Sequence, residues 1–252
     1  WRKEKGWSRK EGVDKHQRDR VGQFLKEANR ANGMGTDTPR KDAHVSITAI
    51  GFALTAYTFG VERGFIARTE AIQRTLTTLR FFRQSEQSEA PSATGYKGFY
   101  YHFLYMDSGR RAWESELSTI DSTFLLAGAL PAAAYFDGAT PEEREIRPVP
   151  EERTARAGWE WALNAGETVS MGWKPESGFL PYRWEGYNKG LILYLLALAS
   201  PTHPIPSESY KAQTRTYRWK TLFGYEFLYA GPLFVHQLSH MWVDFRGIQD
   251  EF

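Results

Sequence analysis

The sequence contains no cysteine, so neither disulfides nor thiolate metal sites can form. A formal net charge of only +2 over 252 residues gives no electrostatic reason to expect nucleic-acid binding. No apolar run reaches the roughly 18–20 residues that a membrane-spanning helix needs, and the best candidate, 124–136, is interrupted by Pro131. Phosphate-binding glycine loops and a G-x-S-x-G elbow are also missing, so nucleotide and serine-hydrolase chemistry lack support.

Aromatic residues, in contrast, are abundant. Nine Trp, thirteen Tyr and sixteen Phe make up 15% of the chain. Most aromatic side chains serve a core. Several here stand among Gly, Pro, Asn and His, outside any regular apolar spacing. Because sugars present apolar C–H faces edged with hydroxyls, this mixture favours a sugar-binding cleft.

The hydrophobic pattern predicts a mainly helical fold. Nearly all-apolar segments alternate with one-sided amphipathic segments. The apolar ones are 44–59, 118–136, 185–199 and 230–242, and the amphipathic ones are 14–32, 66–86, 151–165 and 207–222. Two concentric rings of helices would produce this alternation, so we predict an all-α fold of the α/α toroid type. Residues 98–106 are the one strand-like segment, expected as a hairpin or strand insertion.

The chain is expected to form a single domain over residues 1–252, with residues 1–13 as a basic tail. The first twenty residues carry eight Lys or Arg against four Asp or Glu. A solvated terminus explains such a run more simply than a binding patch does. The basic residues between Lys211 and Arg218 are interpreted in the same way.

Three acids cluster around the start of the 118–136 helix: Glu114, Glu116 and Asp121. Paired carboxylates are the standard equipment of glycoside hydrolysis. Asp121 also fits a capping box that begins at Ser118, so a capping role and a catalytic role stay open for it. Glu116 precedes the helix, where no structural role demands it, and is the stronger catalytic candidate.

Two further features concern charge and metal binding. His236 and His240 share a helix spacing, but no third ligand is evident, so we predict packed histidines and no metal. Lys189 is expected near the N-terminus of the 185–199 helix, where the helix dipole disfavours a cation.

Six motifs then occur in a recognisable order. They are G-F-Y-Y-H-F-L (98–104), E-L-S-T-I-D-S (116–122), M-G-W-K-P-E-S-G-F (171–179), G-Y-N-K-G-L-I-L-Y (186–194), S-P-T-H-P (200–204) and F-R-G-I-Q-D (245–250). Together they resemble the bacterial glycoamylase-like family, which includes endo-β-1,2-glucanases and the processing domain of cyclic β-1,2-glucan synthases. The resemblance runs from about residue 40 to the end.

The resemblance implies an (α/α)6 barrel and endo-type hydrolysis of β-glucan, most simply β-1,2-glucan. It implies an oligo- or polysaccharide substrate, no cofactor, a monomer, and a periplasmic or secreted location. Glu116 and Asp121 would be the acids on one wall of the cleft. The expected sugar-binding residues are Tyr101, Trp184, Tyr187, Asn188 and His203.

Two departures from the family pattern matter. Where family members read G-Y-N-E, with a glutamate that is their candidate proton donor, this chain has Lys189. The family domain also continues with further helices after the position of Phe252, so the toroid is expected to be incomplete. Weak or no hydrolysis is therefore expected. A degenerate sugar-binding domain and a transglycosylating domain of a cyclic glucan synthase remain alternatives.

Overall fold

The computed structural model describes residues 9–35 and 44–249. Helices account for most of the regular structure. They are α1 (Arg9–Glu27), α2 (Ile47–Glu62), α3 (Arg68–Gln84), α4 (Thr119–Tyr135), α5 (Pro141–Ile146), α6 (Pro148–Arg156), α7 (Trp159–Ala162), α8 (Leu191–Leu198), α9 (Glu208–Thr214) and α10 (Val235–Leu238), followed by a 3₁₀ turn at Ser239–Met241.

Short antiparallel strands form three small sheets. They are β1 (His44–Ser46), β2 (Gly95–Tyr96), β3 (Phe99–Tyr101), β4 (Phe103–Tyr105), β5 (Leu117–Ser118), β6 (Gly172–Lys174), β7 (Gly178–Phe179), β8 (Trp219–Leu222) and β9 (Tyr225–Leu228). The largest sheet has the order β2-β3-β5-β6-β7, while β1 pairs with β4 and β8 with β9. The fold thus contains more sheet than the single hairpin that the sequence predicted.

Helices α2 and α4 pack together at the centre of the core. Glycines allow their backbones to touch. A Cβ added to Gly51 would lie 2.2 Å from the Phe124 carbonyl oxygen, and one added to Gly128 would lie 2.0 Å from the Gly51 carbonyl oxygen. Most of α4 is buried, as predicted for 118–136. This contact holds the N-terminal end of α4, where the candidate acids lie, against α2.

In the first two thirds of the chain the predicted helices are present with shifted boundaries. Residues 9–13, expected in a basic tail, already belong to α1, and residues 1–8 lie outside the described part. The 44–59 segment begins with strand β1 before α2, because residues 44–46 pair with β4. The 151–165 segment is two helices, α6 and α7, separated by Ala157 and Gly158.

The last third departs most from prediction. Helix α8 covers only 191–198 of the predicted 185–199, and only about half of its residues are buried. The predicted 207–222 helix ends at Thr214, because residues 219–222 form a hairpin with β9. The predicted buried helix 230–242 is a four-residue helix and a 3₁₀ turn, whose residues are half-buried or exposed except for the buried Ser239. Among the described residues, no helix is both long and apolar enough to cross a membrane.

Candidate active site

His102 lies between two carboxylates. It interrupts the strand-like segment between β3 and β4, and its backbone N–H donates to the Glu116 carbonyl oxygen at 2.9 Å. Its Nδ1 is 2.9 Å from Oε1 of Glu116, and its Nε2 is 3.6 Å from Oδ2 of Asp121. We call Glu116, His102 and Asp121 the acid–histidine cluster.

Asp121 is fixed by two hydroxyl groups. The Ser118 hydroxyl donates to Oδ2 and the Thr48 hydroxyl donates to Oδ1, each at 2.5 Å. Ser118 is the N-cap of α4, and its Oγ also accepts from the Asp121 N–H at 3.2 Å. The cap bond is therefore made by Ser118, which leaves the Asp121 carboxylate bound to side chains from α2 and from the α4 cap. Thr48 also lines a cavity of about 260 Å³ between α1 and α2.

The cluster couples the protonation of its members. Burial lowers the pKa of His102, but the hydrogen bond to Glu116 and the charges of Asp121 and Glu116 outweigh burial and raise it above 6.5. Burial raises the pKa of Glu116, but the hydrogen bond from His102 and nearby positive charges outweigh it and lower it below 4.5. Glu116 therefore stays ionised at neutral pH, while His102 holds a proton to a higher pH than an ordinary histidine.

Lys189 lies in the segment before α8, over two aromatic rings. Its Nζ lies 5.7 Å from the ring centroid of Phe124 and 5.8 Å from that of Trp184. Its charge opposes protonation of His102, which places it within electrostatic reach of the cluster. It precedes the first helical residue, Leu191, by two positions, and so lies just outside the first turn where it was expected.

Trp184 is buried beside the start of α4. The residue is 8% exposed, and its Nε1–H donates to the Thr119 hydroxyl at 3.0 Å. Trp184, Lys189, Glu116 and Asp121 are thus the sequence-predicted residues that the fold gathers around the N-terminal end of α4.

The other predicted sugar-binding residues lie in different surroundings, and for Asn188 and His203 sugar binding stays a prediction. Tyr101 is fully buried beneath the Arg111 guanidinium, which lies 4.5 Å from its ring centroid, so it offers no face to a ligand; the stacking prediction for Tyr101 is wrong for this structure. Asn188 closes a turn, with its Oδ1 accepting from the Gly190 N–H at 2.7 Å. His203 is exposed in the loop after α8, and its N–H donates to the Ser200 hydroxyl.

The predicted aromatic residue Tyr187 packs against another histidine. Its ring centroid is 5.0 Å from that of His236 and 5.9 Å from that of Tyr217. His240 instead packs against Phe245 at 4.8 Å. The two histidines that share a helix spacing therefore have separate aromatic partners, as packed histidines do.

A row of aromatic rings lies beside His102 and was not predicted from the sequence. The Phe103 ring stacks on His102 at 3.9 Å, Trp113 lies 5.4 Å from Phe103, and His44 lies 3.7 Å from Trp113. We call His44, Phe103 and Trp113 the aromatic ledge. The Trp113 ring is 60% exposed and its backbone φ is +53°, a conformation that costs free energy in a non-glycine residue. A strained, exposed tryptophan separated from His102 by only the Phe103 ring is a signal that only the structure provides.

The cluster offers one nitrogen and two oxygen atoms within 4.8 Å of one another, which is a possible ligand set for a cation. The same atoms already satisfy one another, since the imidazole faces both carboxylates. Acid–base chemistry therefore requires no further group, and the expectation of no metal stays a prediction.

Comparison with known proteins points in one direction. The Glycoamylase family model, which describes candidate glucoamylases, matches residues 181–252. An exo β-1,2-glucooligosaccharide sophorohydrolase of Parabacteroides distasonis is 25% identical over 180 residues, covering 68% of this chain and 24% of the relative.

Two solved structures show the same fold. A candidate glucoamylase from Bacteroides uniformis superposes with a TM-score of 0.89 at 24% identity, over 99% of this chain and 63% of that protein. An endo-β-1,2-glucanase from Chitinophaga pinensis, solved with sophorotriose and glucose, gives a TM-score of 0.77 at 22% identity, over 91% of this chain and 59% of that protein. This chain spans less than two thirds of the length of each of these relatives. The resemblance deduced from the six motifs is confirmed.

Proposed function

We propose that this chain, which resembles the bacterial glycoamylase-like family, forms part of a glycoside hydrolase site for β-1,2-glucan. The observation that carries the proposal is the acid–histidine cluster at the N-terminal end of α4, bordered by Lys189 and the aromatic ledge. The names of the relatives, a sophorohydrolase and an endo-β-1,2-glucanase, support this choice of substrate.

The charges of the cluster suggest roles for its members. Glu116 has a lowered pKa and so suits a base or a group that stabilises positive charge on the sugar, rather than a proton donor. Lys189, at the position of the family's candidate acid, has no carboxyl proton to give. His102 has a raised pKa and is the group best able to carry a proton at neutral pH. Hydrolysis by this chain would therefore depend on a histidine acid and would be slow.

The second candidate is a sugar-binding domain that has lost hydrolysis. Lys189 favours this candidate. Its ammonium group makes cation–π contacts with the Phe124 and Trp184 rings, but it cannot act as the carboxylic acid that hydrolysis needs. The transglycosylating alternative would be recognised by cyclic rather than linear products. We further propose a two-ring α/α toroid and a periplasmic or secreted location, the latter because a glucan polymer does not cross a membrane unaided.

The aromatic ledge provides the sharpest test of sugar binding. One sugar ring stacked on Trp113 at about 1 kcal/mol corresponds to about a fivefold change in Kd. Calorimetry with sophoro-oligosaccharides should therefore show weaker binding after Trp113→Ala. Trp219→Ala removes a similarly exposed tryptophan from the β8–β9 hairpin and is the matched control.

A reducing-sugar assay on β-1,2-glucan, run beside the calorimetry, separates the two functions. Binding with release of reducing ends supports hydrolysis, and binding without release supports the binding domain. Equal affinity for sophoro-oligosaccharides in Trp113→Ala and Trp219→Ala would refute the assignment of the ledge. The absence of any binding by the unaltered chain would refute the proposed site.

A further inference from the structure

A second cavity, formed by residues other than those of the acid–histidine cluster, is lined by positive charge. It has a volume of about 320 Å³ and lies where the end of α6 meets the turn between β2 and β3. Its lining residues are Gln87, Tyr96, Lys97, Gly98, Tyr100, Arg153 and Arg156. Three of them are cationic and none is acidic. We call this the basic cavity.

Arg153 is buried there without a carboxylate. The residue is 5% exposed, and among the described residues no acid lies within ion-pair distance of it. Its Nη1 donates to the Phe82 carbonyl oxygen at a long 3.5 Å, and its Nε has no hydrogen-bond partner within residues 9–35 and 44–249. A buried, unpaired charge costs several kcal/mol, so burying this one calls for a counter-charge.

Part of the role of Arg153 is structural. The Phe82 carbonyl lies in the last turn of α3, where the helix dipole favours a cation. The Tyr100 hydroxyl donates to the same carbonyl oxygen at 3.2 Å, however, so that acceptor is shared. Capping α3 therefore leaves the Nε of Arg153 unexplained.

The remaining polar groups of the lining offer Arg153 no negative charge. The Tyr100 hydroxyl lies close enough to Arg153 to share a hydrogen bond with it, but it is neutral. The Gln87 side chain is also neutral and is bonded to the backbone, with Nε2 donating to the Phe99 carbonyl at 3.3 Å and Oε1 accepting from the Gly98 N–H at 3.0 Å. The nearby Glu89 carboxylate accepts from the Tyr96 hydroxyl and does not line the cavity. No carboxylate of the described residues therefore balances the charge of Arg153.

We propose that the basic cavity is a binding site for a phosphate-type dianion. Arginine guanidinium groups match the geometry of phosphate oxygens and bind them in a bidentate manner. Arg153 would provide the buried donor, and Lys97 and Arg156, both exposed at the rim, would complete the charge balance. A dianion neutralises more of the charge of these three cations than a single carboxylate does. The proposal does not rest on glucan binding.

The test is thermal unfolding of the full chain with inorganic phosphate, sulfate or acetate, at ionic strength held constant with sodium chloride. We expect a saturable rise in Tm with phosphate, a comparable rise with sulfate, and little with acetate. Lys97→Gln and Arg156→Gln should each weaken phosphate binding about tenfold, the effect of losing one charge contact of ordinary strength. Arg144→Gln, the same charge change on the exposed face of α5, should leave it unchanged.

Arg153→Gln should abolish the saturable response. If that variant fails to fold, the two rim variants still decide the question, because both side chains are exposed. Equal phosphate affinity in Lys97→Gln, Arg156→Gln and Arg144→Gln would overturn the site. Acetate binding as tight as phosphate binding would overturn the dianion assignment.

Discussion

Replacing Lys189 with glutamate tests whether one position separates this chain from an active glycoside hydrolase. The substitution places a carboxyl group where the family pattern has its candidate proton donor. General acid catalysis contributes about 10²–10⁴-fold, which equals about 2.7–5.4 kcal/mol of barrier. We expect Lys189→Glu to increase sugar release from β-1,2-glucan by a factor in that range.

The fold should tolerate this change. The ammonium of Lys189 lies within 6 Å of two ring centroids, and each such cation–π contact contributes about 0.5–1 kcal/mol. A carboxylate just before the N-terminus of α8 regains about 0.3–1 kcal/mol from the helix dipole. The net loss of unfolding free energy should therefore stay near 1 kcal/mol, which thermal unfolding can verify.

The matched control is Lys189→Gln, which removes the positive charge without supplying an acid. Reducing-sugar release should be compared at several pH values between 4 and 8. If Lys189→Glu releases sugar no faster than Lys189→Gln while both bind sophoro-oligosaccharides, this position does not carry the acid. Lys189 would then not be the cause of the weak hydrolysis that we expect of this chain.

Three further predictions concern stability. The net effect of Glu116 and Asp121 raises the pKa of His102 above 6.5. The stabilisation by the protonated ring is therefore complete below about pH 6.5 and disappears as the pH rises through the folded-state pKa. NMR titration of the ring should show a lower His102 pKa in Glu116→Gln, and an unchanged pKa would contradict the coupling. Asp121→Ala leaves the Thr48 and Ser118 hydroxyl groups without their acceptor, so the free energy of unfolding measured by chemical denaturation should fall by about 3 kcal/mol. A loss below about 1 kcal/mol would mean that solvent replaces the carboxylate. Gly51→Ala pushes α2 away from α4 and should lower the free energy of unfolding by more than about 3 kcal/mol. Gly12→Ala, on the open face of α1, should raise it by about 0.5–1 kcal/mol. Similar effects at both glycines would contradict the close contact between α2 and α4.

Local sequence signals identified much of the helical framework. Helix α3 was predicted as 66–86 from apolar residues at helical spacing, and it forms at Arg68–Gln84. Helix α4 was predicted as 118–136 and forms at Thr119–Tyr135, with Ser118 as its cap. Periodicity and caps act over a few residues, so they can be recognised without knowing the fold.

Pairing between distant residues could not be recognised in this way. The 207–222 segment was predicted as one helix, but residues 219–228 form a hairpin. Phe223 and Gly224 at its turn both have positive φ, the geometry of a tight hairpin turn. Nothing in the helical spacing of this segment indicates that β9 will pair with β8, because strand pairing depends on the partner.

The candidate site shows the same division. The acids were found because Glu116 and Asp121 lie five residues apart around a helix start, and the resemblance supplied Lys189. His102 lies inside the 98–104 motif, but the neighbouring Tyr101 was the residue of that motif predicted to line the site. Adjacent residues of an extended strand point to opposite faces, so a sequence cannot say which of the two faces the acids.

The amino-acid sequence by itself determined the helical character of the chain, the capped start of α4 with its acids, and the family that the chain resembles. These follow from short-range periodicity, side-chain chemistry and ordered motifs. Only the tertiary structure decided that His102 bridges two carboxylates, that Tyr101 is buried beneath Arg111, and that no acid in the described part of the chain pairs with Arg153. Those facts depend on which residues distant in sequence come into contact, because burial and charge pairing are defined only once the chain has folded.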